Sequence, residues 1–255
     1  MTHTVEVTDE VLTKRYTSWS RDEPGREFAA LTLLSQHAPS LAPIPLNRSQ
    51  PDSPGPWVSM SVLPGQPLSG ALTPAQLDAL GDALTTLWSV DPHGLAPIDT
   101  PALVDRTRTA LALLRTGAGV IADAASAAAV WLDSFAGFEM RDPVVGHGDP
   151  NLANYLWDGS RIRIVDFEDA GVGDRTVELA NLVEHLSGRA TDWGPVVRRF
   201  DVDPDRLREA RCLWAAFWLT LIGPGGPSAD RNPPGTAEAQ ARRVLGLLRP
   251  AAGAP

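Results

Sequence analysis

The sequence predicts an α+β fold, in which a small β-rich N-terminal part joins a larger and mainly helical part. Two short alternating segments stand close together near the N terminus. Apolar residues recur at helical spacing through much of the remaining chain, and one β-rich interval, 143–165, interrupts the helices. We place the boundary near residues 63–72, which gives a first domain over 1–63 and a second over 64–255.

A hairpin and a helix are predicted at the N terminus. Residues 3–7 and 11–16 alternate and are rich in Val, Thr and Tyr, which is typical of two strands joined by a tight turn. A helix is predicted over 26–37, because its apolar side chains share one face and Pro39 ends the pattern.

The elements that follow are predicted from composition and periodicity. The passage 39–56 is so rich in proline that we expect no regular structure there, whereas 57–63 (WVSMSVL) is predicted to be a strand. Thr73-Pro74-Ala75-Gln76 supplies an N-cap, a first-turn proline and a capping-box glutamine at the start of a helix. Further helices are predicted over 101–116, 120–136, 175–187, 204–222 and 236–248.

Composition excludes several classes of function. An apolar fraction of 43% with 21% charged residues is ordinary for a soluble globular protein, and a net charge of −9 argues against a nucleic-acid partner. Cys212 is the only cysteine, the first residues lack the pattern of a signal peptide, and the longest apolar run, 213–222, is too short to span a membrane. We therefore expect a cytoplasmic, monomeric protein without a membrane partner.

Candidate catalytic residues gather in the β-rich interval. Asp158-Gly159 predicts a hairpin between Tyr155-Leu156-Trp157 and the alternating residues 161–164. This hairpin brings Asn154 and Asp166 to the same end, and Asp149 enters from the loop just before it. Oxygen-bearing side chains of this kind are the ligands that Mg²⁺ prefers.

Each of these residues alone has a simpler interpretation. Asp149 precedes a proline and could start a turn, while Asn154 and Asp166 could cap the ends of a strand or helix. His147 is expected to be a structural histidine that bonds backbone near the loop, rather than a base. A shared functional site is nevertheless favoured over these separate roles, because the four residues occur together with the hairpin between them.

The spacing of these residues indicates phosphoryl transfer. Residues 147–154 (HGDPNLAN) fit H-x-D-x-x-x-x-N, and 165–167 supply a later Asp-Phe. In phosphoryl transfer one carboxylate orients the attacking hydroxyl and takes its proton, while an asparagine and a second carboxylate hold metal against the phosphates. This residue set at this spacing meets both requirements.

The sequence resembles the aminoglycoside phosphotransferase family, which comprises small-molecule kinases with a protein-kinase-like fold. The resemblance is carried by HGDPNLAN (147–154), IVDFEDAGVGD (164–174) and TVELANLVEHLS (176–187), and more weakly by SMSVLPGQPL (59–68). It implies a two-lobed α+β fold with a nucleotide-binding N-lobe and a mainly helical C-lobe. Because only 13 residues precede Lys14, we expect that N-lobe to be abbreviated.

The resemblance also implies roles for the catalytic residues. Asp149 would be the catalytic base, and Asn154 and Asp166 would bind Mg²⁺. Glu27 matches the family's first-helix glutamate, which pairs with a lysine that touches the nucleotide phosphates. Lys14, the only lysine in the chain, would be that partner.

The nucleotide base would lie against the end of the predicted strand 57–63. By the resemblance, Met60 would sit behind the adenine, and the backbone of Ser61, Val62 and Leu63 would form hydrogen bonds with its edge. Either ATP or GTP is compatible with this arrangement.

The predicted function is transfer of the γ-phosphate of ATP or GTP to a hydroxyl of a small, cationic molecule such as an aminoglycoside, with antibiotic resistance as one role. Choline-like, sugar and macrolide acceptors stay open, as do a nucleotide-binding pseudokinase and a metal-dependent hydrolase using residues such as His147 and His185. Five acidic residues suit a polyamine acceptor or are simply solvated carboxylates: Glu168, Asp169, Asp174, Glu178 and Glu184.

Overall fold

The computed structural model describes residues 3–51 and 53–249. The chain forms two compact units. The first contains the described residues of Met1–Ile98, Met140–Glu178 and Ser187–Asp201, and the second those of Asp99–Glu139, Leu179–Leu186 and Val202–Pro255. The division into domains 1–63 and 64–255 stays a prediction.

A four-stranded antiparallel sheet opens the first unit. Its strands are β1 (His3–Val7), β2 (Val11–Tyr16), β3 (Pro45–Arg48) and β4 (Trp57–Ser61), in the order β1-β2-β4-β3. β1 and β2 form the predicted hairpin, whose turn closes with a hydrogen bond from Thr8 N–H to the carbonyl oxygen of Val11. Across the sheet, Lys14 lies opposite Val5 on one side and Val58 on the other.

The two faces of the sheet differ in burial because successive side chains of a strand point to opposite faces. In the central strands β2 and β4 one face is buried, and it carries Lys14, Tyr16, Val58 and Met60. On the other face Arg15 and Glu6 form an exposed ion pair, with 3.3 Å between Nε and Oε1. Lys14 is therefore directed inward by the alternation of β2.

Helix α1 (Glu23–His37) follows the hairpin and begins three residues before the predicted start at residue 26. Pro24 lies in its first turn, where a proline costs no hydrogen bond, and the helix ends before Pro39 as predicted. The prediction that 39–56 lacks regular structure is wrong, because β3 lies within it. β3 is an edge strand that begins with Pro45, and prolines are tolerated at such positions.

Five short strands complete the first unit. They are β5 (Gln66–Pro67), β6 (Pro143–Gly146), β7 (Tyr155–Trp157), β8 (Ile162–Ile164) and β9 (Gly171–Asp174). β7 and β8 form the predicted hairpin, in which Tyr155 lies opposite Ile164, and Gly159 in the turn has a φ of 100°. The sequence patterns did not predict β5 or β9, which are short and pair with β7 and β6 respectively.

The predicted helices are all present in the described chain. They are α2 (Pro74–Ser89), α3 (Thr100–Leu114), α4 (Val120–Ser134), α5 (Arg175–Glu184), α6 (Gly194–Val197), α7 (Pro204–Ile222) and α8 (Thr236–Leu248), of which only the four-residue α6 was not predicted. The capping box of α2 forms as expected, since Thr73 N–H donates to Gln76 Oε1 at 2.9 Å and Gln76 N–H donates to Thr73 Oγ1 at 3.3 Å.

The second unit is a helical bundle built from α3, α4, α7 and α8. α4 buries a face of small side chains, among them Ala124, Ala125 and Ala128. The apolar run 213–222 lies in α7 and is mostly buried, as expected for a core helix. None of the helices in the described part of the chain combines the length and hydropathy needed to cross a bilayer.

Candidate active site

Lys14 lies in the centre of a cluster of carboxylates within the first unit. Its side chain is nearly inaccessible, with a residue exposure of 3%. The ammonium is 3.2 Å from Glu27 Oε2 and 2.8 Å from Glu168 Oε2, and it donates a hydrogen bond to Asp166 Oδ1. The structure thus brings together Lys14, Glu27 and Asp166, which the sequence assigned to one site.

These carboxylates keep the side chain of Lys14 in its protonated, charged form. Burial alone would lower the pKa of Lys14, because it disfavours the charged ammonium. The negative charges of Glu27, Asp166 and Glu168 outweigh burial and raise the pKa above its ordinary value. Lys14 is therefore a permanent cation at physiological pH.

Glu27 connects α1, the sheet and the segment that contains Asp166. Its Oε1 accepts a hydrogen bond from Phe167 N–H at 3.1 Å, and its Oε2 accepts one from the hydroxyl of Tyr16. Burial raises the pKa of Glu27, and the nearby Lys14 acts in the opposite direction. Sequence reasoning missed Tyr16, although its place two residues after Lys14 puts it on the same face of β2.

The loop with Asp149 is held in shape by His147. The ring Nε2 of His147 lies 2.9 Å from the carbonyl oxygen of Val165, and Nδ1 accepts a hydrogen bond from Asp149 N–H at 3.3 Å. These contacts fit a neutral imidazole that donates through Nε2 and accepts through Nδ1. His147 is a structural histidine, as expected, and ties the loop to the strand that leads to Asp166.

Gly148 allows the loop before Asp149 to lie close to the segment that contains Asp169. Its φ is 80°, and a Cβ at this position would collide with the carbonyl oxygen of Asp169. Both the backbone angle and the lack of space therefore require glycine between His147 and Asp149.

Glu178, in the first half of α5, supports the same loop. Its Oε2 accepts hydrogen bonds from His147 N–H at 2.8 Å and from Gly148 N–H at 3.3 Å. Burial raises the pKa of Glu178, and the two backbone donors oppose that effect. The carboxylate thus provides an acceptor for the buried N–H of His147 and also binds the N–H of Gly148.

We expect Glu178→Ala to lower the free energy of unfolding by about 2 kcal/mol, because it removes the acceptor of the buried His147 N–H. Chemical denaturation monitored by circular dichroism measures this change. The exposed Glu209 in α7 provides a matched control, since Glu209→Ala should leave the denaturation midpoint nearly unchanged. Equal midpoints for the two variants would contradict the supporting role of Glu178.

Asn154 and Asp166 lie side by side at the open end of the β7–β8 hairpin. The N–H of Val165 donates to the carbonyl oxygen of Asn154 at 2.9 Å, which places the next residue, Asp166, beside it. The side-chain amide of Asn154 donates to the carbonyl oxygen of Asp149 at 3.0 Å, so all three predicted residues meet in one place. Asp166 has a φ of 70°, a left-handed conformation that aspartate tolerates better than most residues and that is common at functional sites.

The side chains of Asn154 and Asp166 offer oxygen ligands that suit a hard divalent cation. Because the amide nitrogen of Asn154 is used within the protein, its Oδ1 is the atom that could bind a metal ion, together with the carboxylate of Asp166. The structure adds His3 and Glu168 to this region, since one ligand atom from each lies within 4.8 Å of one from Asp166. His3 faces the same side as Lys14 because it lies opposite Tyr16 on β1, and no sequence motif marked it as a site residue.

The segment predicted to bind adenine has one free backbone donor. Met60 is buried in β4. The N–H of Ser61 donates to the carbonyl oxygen of Ile44, and that of Val62 donates to the carbonyl oxygen of Glu10. Of the three predicted residues, only Leu63 therefore keeps an N–H without a partner among the described residues.

The acidic residues between 168 and 184 do not form an open acidic surface. Within the first unit, Glu168 contacts Lys14, Asp169 pairs with Arg21, and Asp174 accepts from the N–H of Arg141. Within the second unit, Glu184 binds Arg211 and Arg243. The interpretation of these residues as solvated carboxylates is wrong for four of them, because Glu168, Asp174, Glu178 and Glu184 are buried.

Comparison with known proteins identifies a family for this chain. The model of the phosphotransferase enzyme family named APH matches residues 2–214. No curated protein matches the sequence at a significant level.

Solved structures match nearly the whole chain. A choline/ethanolamine kinase family protein from Mesorhizobium loti is 17% identical, with a TM-score of 0.64 over 98% of this chain and 86% of that one. The gentamicin complex of APH(2″)-IIa gives 15% identity and a TM-score of 0.66 over 96% and 87%. Aminoglycoside phosphotransferase APH(3″)-Id from Streptomyces rimosus gives 16% and 0.57 over 84% and 92%.

At these identities the solved structures show the fold, and the family model shows the membership. The predicted fold, with a small antiparallel sheet followed by a mainly helical remainder, is confirmed. The resemblance to the aminoglycoside phosphotransferases is confirmed as well. The chain belongs to the phosphotransferase enzyme family and is a small-molecule kinase.

Proposed function

We propose that this protein transfers the γ-phosphate of ATP or GTP to a hydroxyl group of a small cationic molecule, with Mg²⁺ as the metal. The observation that carries the proposal is the meeting of Asp149, Asn154 and Asp166 at the end of one hairpin, with the buried ammonium of Lys14 bonded to Asp166. This set contains a base, metal ligands and a fixed cation, which are the parts that phosphoryl transfer requires.

The nucleotide base is proposed to lie on an apolar row of the sheet. Val7, Leu12 and Met60 lie opposite one another across β1, β2 and β4, on the face that carries Lys14. Val7 is 60% exposed, which leaves its side chain available to contact a ring system. The N–H of Leu63 is the proposed donor to the edge of the base.

The phosphates would then extend towards Lys14. Glu27 holds the ammonium in place through its contact of 3.2 Å and is itself fixed by Tyr16 and Phe167. Asn154 and Asp166 would hold Mg²⁺, which neutralises the charge that the phosphate oxygens develop during transfer. Similar structures are complexes with GDP, ADP or ATP, which supports a nucleotide as the phosphate donor.

Asp149 is the proposed base. Its carboxylate orients the acceptor hydroxyl and takes the proton as the oxygen attacks the γ-phosphorus. A new P–O bond forms on the acceptor while the bond from the γ-phosphorus to the β–γ bridging oxygen breaks. The nucleoside diphosphate leaves with the electron pair of that bond, and the products are a phosphate monoester and a protonated Asp149.

A cationic acceptor is supported by the relatives rather than by an acidic surface of this chain. The names of the similar proteins refer to aminoglycosides and to choline or ethanolamine, which are all hydroxylated amines. We therefore propose hydroxylated amines as the acceptor class. Resistance to an antibiotic would follow if the acceptor is an aminoglycoside.

A screen for phosphate transfer tests this proposal. Purified protein with Mg²⁺ and γ-labelled ATP or GTP would be incubated with aminoglycosides, choline, ethanolamine, sugars and macrolides. We expect label to appear on at least one hydroxylated amine. Nucleotide binding without transfer to any compound would instead favour a pseudokinase, and release of phosphate from simple esters without nucleotide would favour a hydrolase.

A further inference from the structure

We propose that His3, Asp166 and Glu168 form a divalent-cation site that is loaded in the absence of nucleotide and prefers Co²⁺, Mn²⁺ and Zn²⁺ to Mg²⁺. The site shares Asp166 with the proposed Mg²⁺ position but differs in its other ligands. It goes beyond phosphate transfer, and its test does not require turnover.

The geometry already approaches that of a metal site. One ligand atom from each of the three residues lies within 4.8 Å of the other two, and His3 Nδ1 is 3.1 Å from Glu168 Oε2. Neighbouring ligands around an ion with bonds of about 2.1 Å lie roughly 3.0–3.4 Å apart. His3 and Glu168 are therefore spaced as adjacent ligands are, and an Asp166 oxygen lies within 4.8 Å of both.

The chemistry of the ligands sets the preference among metals. Mg²⁺ selects oxygen ligands, whereas an imidazole nitrogen favours transition metals and Zn²⁺. A site with one imidazole and two carboxylates therefore differs from the pair Asn154 and Asp166, which offers oxygen alone.

The excess of negative charge around Lys14 favours the binding of a second cation among these carboxylates. Three carboxylates, from Glu27, Asp166 and Glu168, surround the single ammonium of Lys14. The Glu168 side chain is only 10% exposed, and so much negative charge is costly where water is scarce. A divalent cation would neutralise Asp166 and Glu168, while Lys14 would keep its contact with Glu27.

The ammonium of Lys14 occupies part of the place proposed for the ion, since it contacts both Asp166 and Glu168. Metal and ammonium therefore compete for the same two carboxylates. Removing the ammonium in Lys14→Met should strengthen metal binding, although it removes a residue that phosphate transfer is proposed to need.

Calorimetric titration of the tag-free full chain with Co²⁺ alone, without nucleotide, tests the proposal. We expect one Co²⁺ per chain, with an affinity that falls at least about tenfold in His3→Gln and in Glu168→Gln. Lys14→Met should bind at least as tightly as the wild type. His37→Gln, which changes an exposed histidine at the end of α1, should bind as the wild type does.

Several results would overturn the proposal. The first is that Co²⁺ does not bind, and the second is that His3→Gln binds Co²⁺ as tightly as the wild type does. The third is that the affinity for Co²⁺ falls in His3→Gln but not in Glu168→Gln, which would assign the ion to His3 alone. Competition by Mg²⁺ at similar concentration would also contradict the stated preference. Thermal melts of each variant verify folding, and the Mg²⁺-dependent transfer assay reports separately on the proposed function.

Discussion

Asp149→Asn is expected to lower kcat by about 10²–10⁴-fold, because an amide cannot take the proton of the acceptor hydroxyl. The side chain keeps its size, and the hydrogen bond between Asp149 N–H and His147 Nδ1 comes from the backbone, so the loop should keep its shape. The melting temperature and the nucleotide affinity should therefore stay close to those of the wild type. Steady-state kinetics with Mg·ATP and the acceptor found in the screen measure the effect.

Asp123→Asn is the matched control for this substitution. Asp123 is exposed in the first turn of α4, in the second unit, and has no part in the proposed site. Its kcat should equal that of the wild type. If Asp149→Asn retains wild-type kcat as the control does, Asp149 is not the base.

Lys14→Met is expected to lower the free energy of unfolding by about 3–5 kcal/mol, because it leaves buried carboxylates without their cation. Since the pKa of Lys14 is raised above its ordinary value of 10.5, the stabilisation is complete below about pH 10.5 and is lost only at higher pH. Denaturation in urea at neutral pH, in metal-free buffer, measures the change. A loss below 1 kcal/mol would show that the cluster does not depend on Lys14.

Lys14→Arg separates the charge of the side chain from its shape. A guanidinium preserves the positive charge and should recover part of the stability lost in Lys14→Met. Its planar fork cannot occupy the same position among three carboxylates as a compact ammonium, so turnover should remain well below that of the wild type. Full activity in Lys14→Arg would mean that any cation suffices at this position.

The site residues that sequence could predict are those fixed by local pattern. The turn Asp158-Gly159 determines the β7–β8 hairpin, and that hairpin alone places Asn154 beside the residue that precedes Asp166. Helices such as 204–222 and 236–248 were predicted to the residue, because their N-caps or glycines and their apolar spacing agree. Local chemistry was sufficient in these cases.

The residues that sequence could not predict depend on contacts between distant segments. His3 reaches Glu168 only because β1 pairs with β2 and the sheet lies over the segment after β8. Glu168 appeared to be one of several solvated acids, and only its ion pair with Lys14, 154 residues earlier in the chain, reveals its position. β3 was not predicted because the prolines around it are typical of irregular structure, although an edge strand tolerates them.

The central claim is that this site moves a phosphate from a nucleotide to a hydroxyl. Phosphorus NMR of the wild type with Mg·ATP and its acceptor follows both products at once. We predict that a phosphate monoester appears at the same rate as ADP, and that both signals are lost in Asp149→Asn. Formation of ADP with inorganic phosphate alone, or an unchanged rate in Asp149→Asn, would contradict the claim.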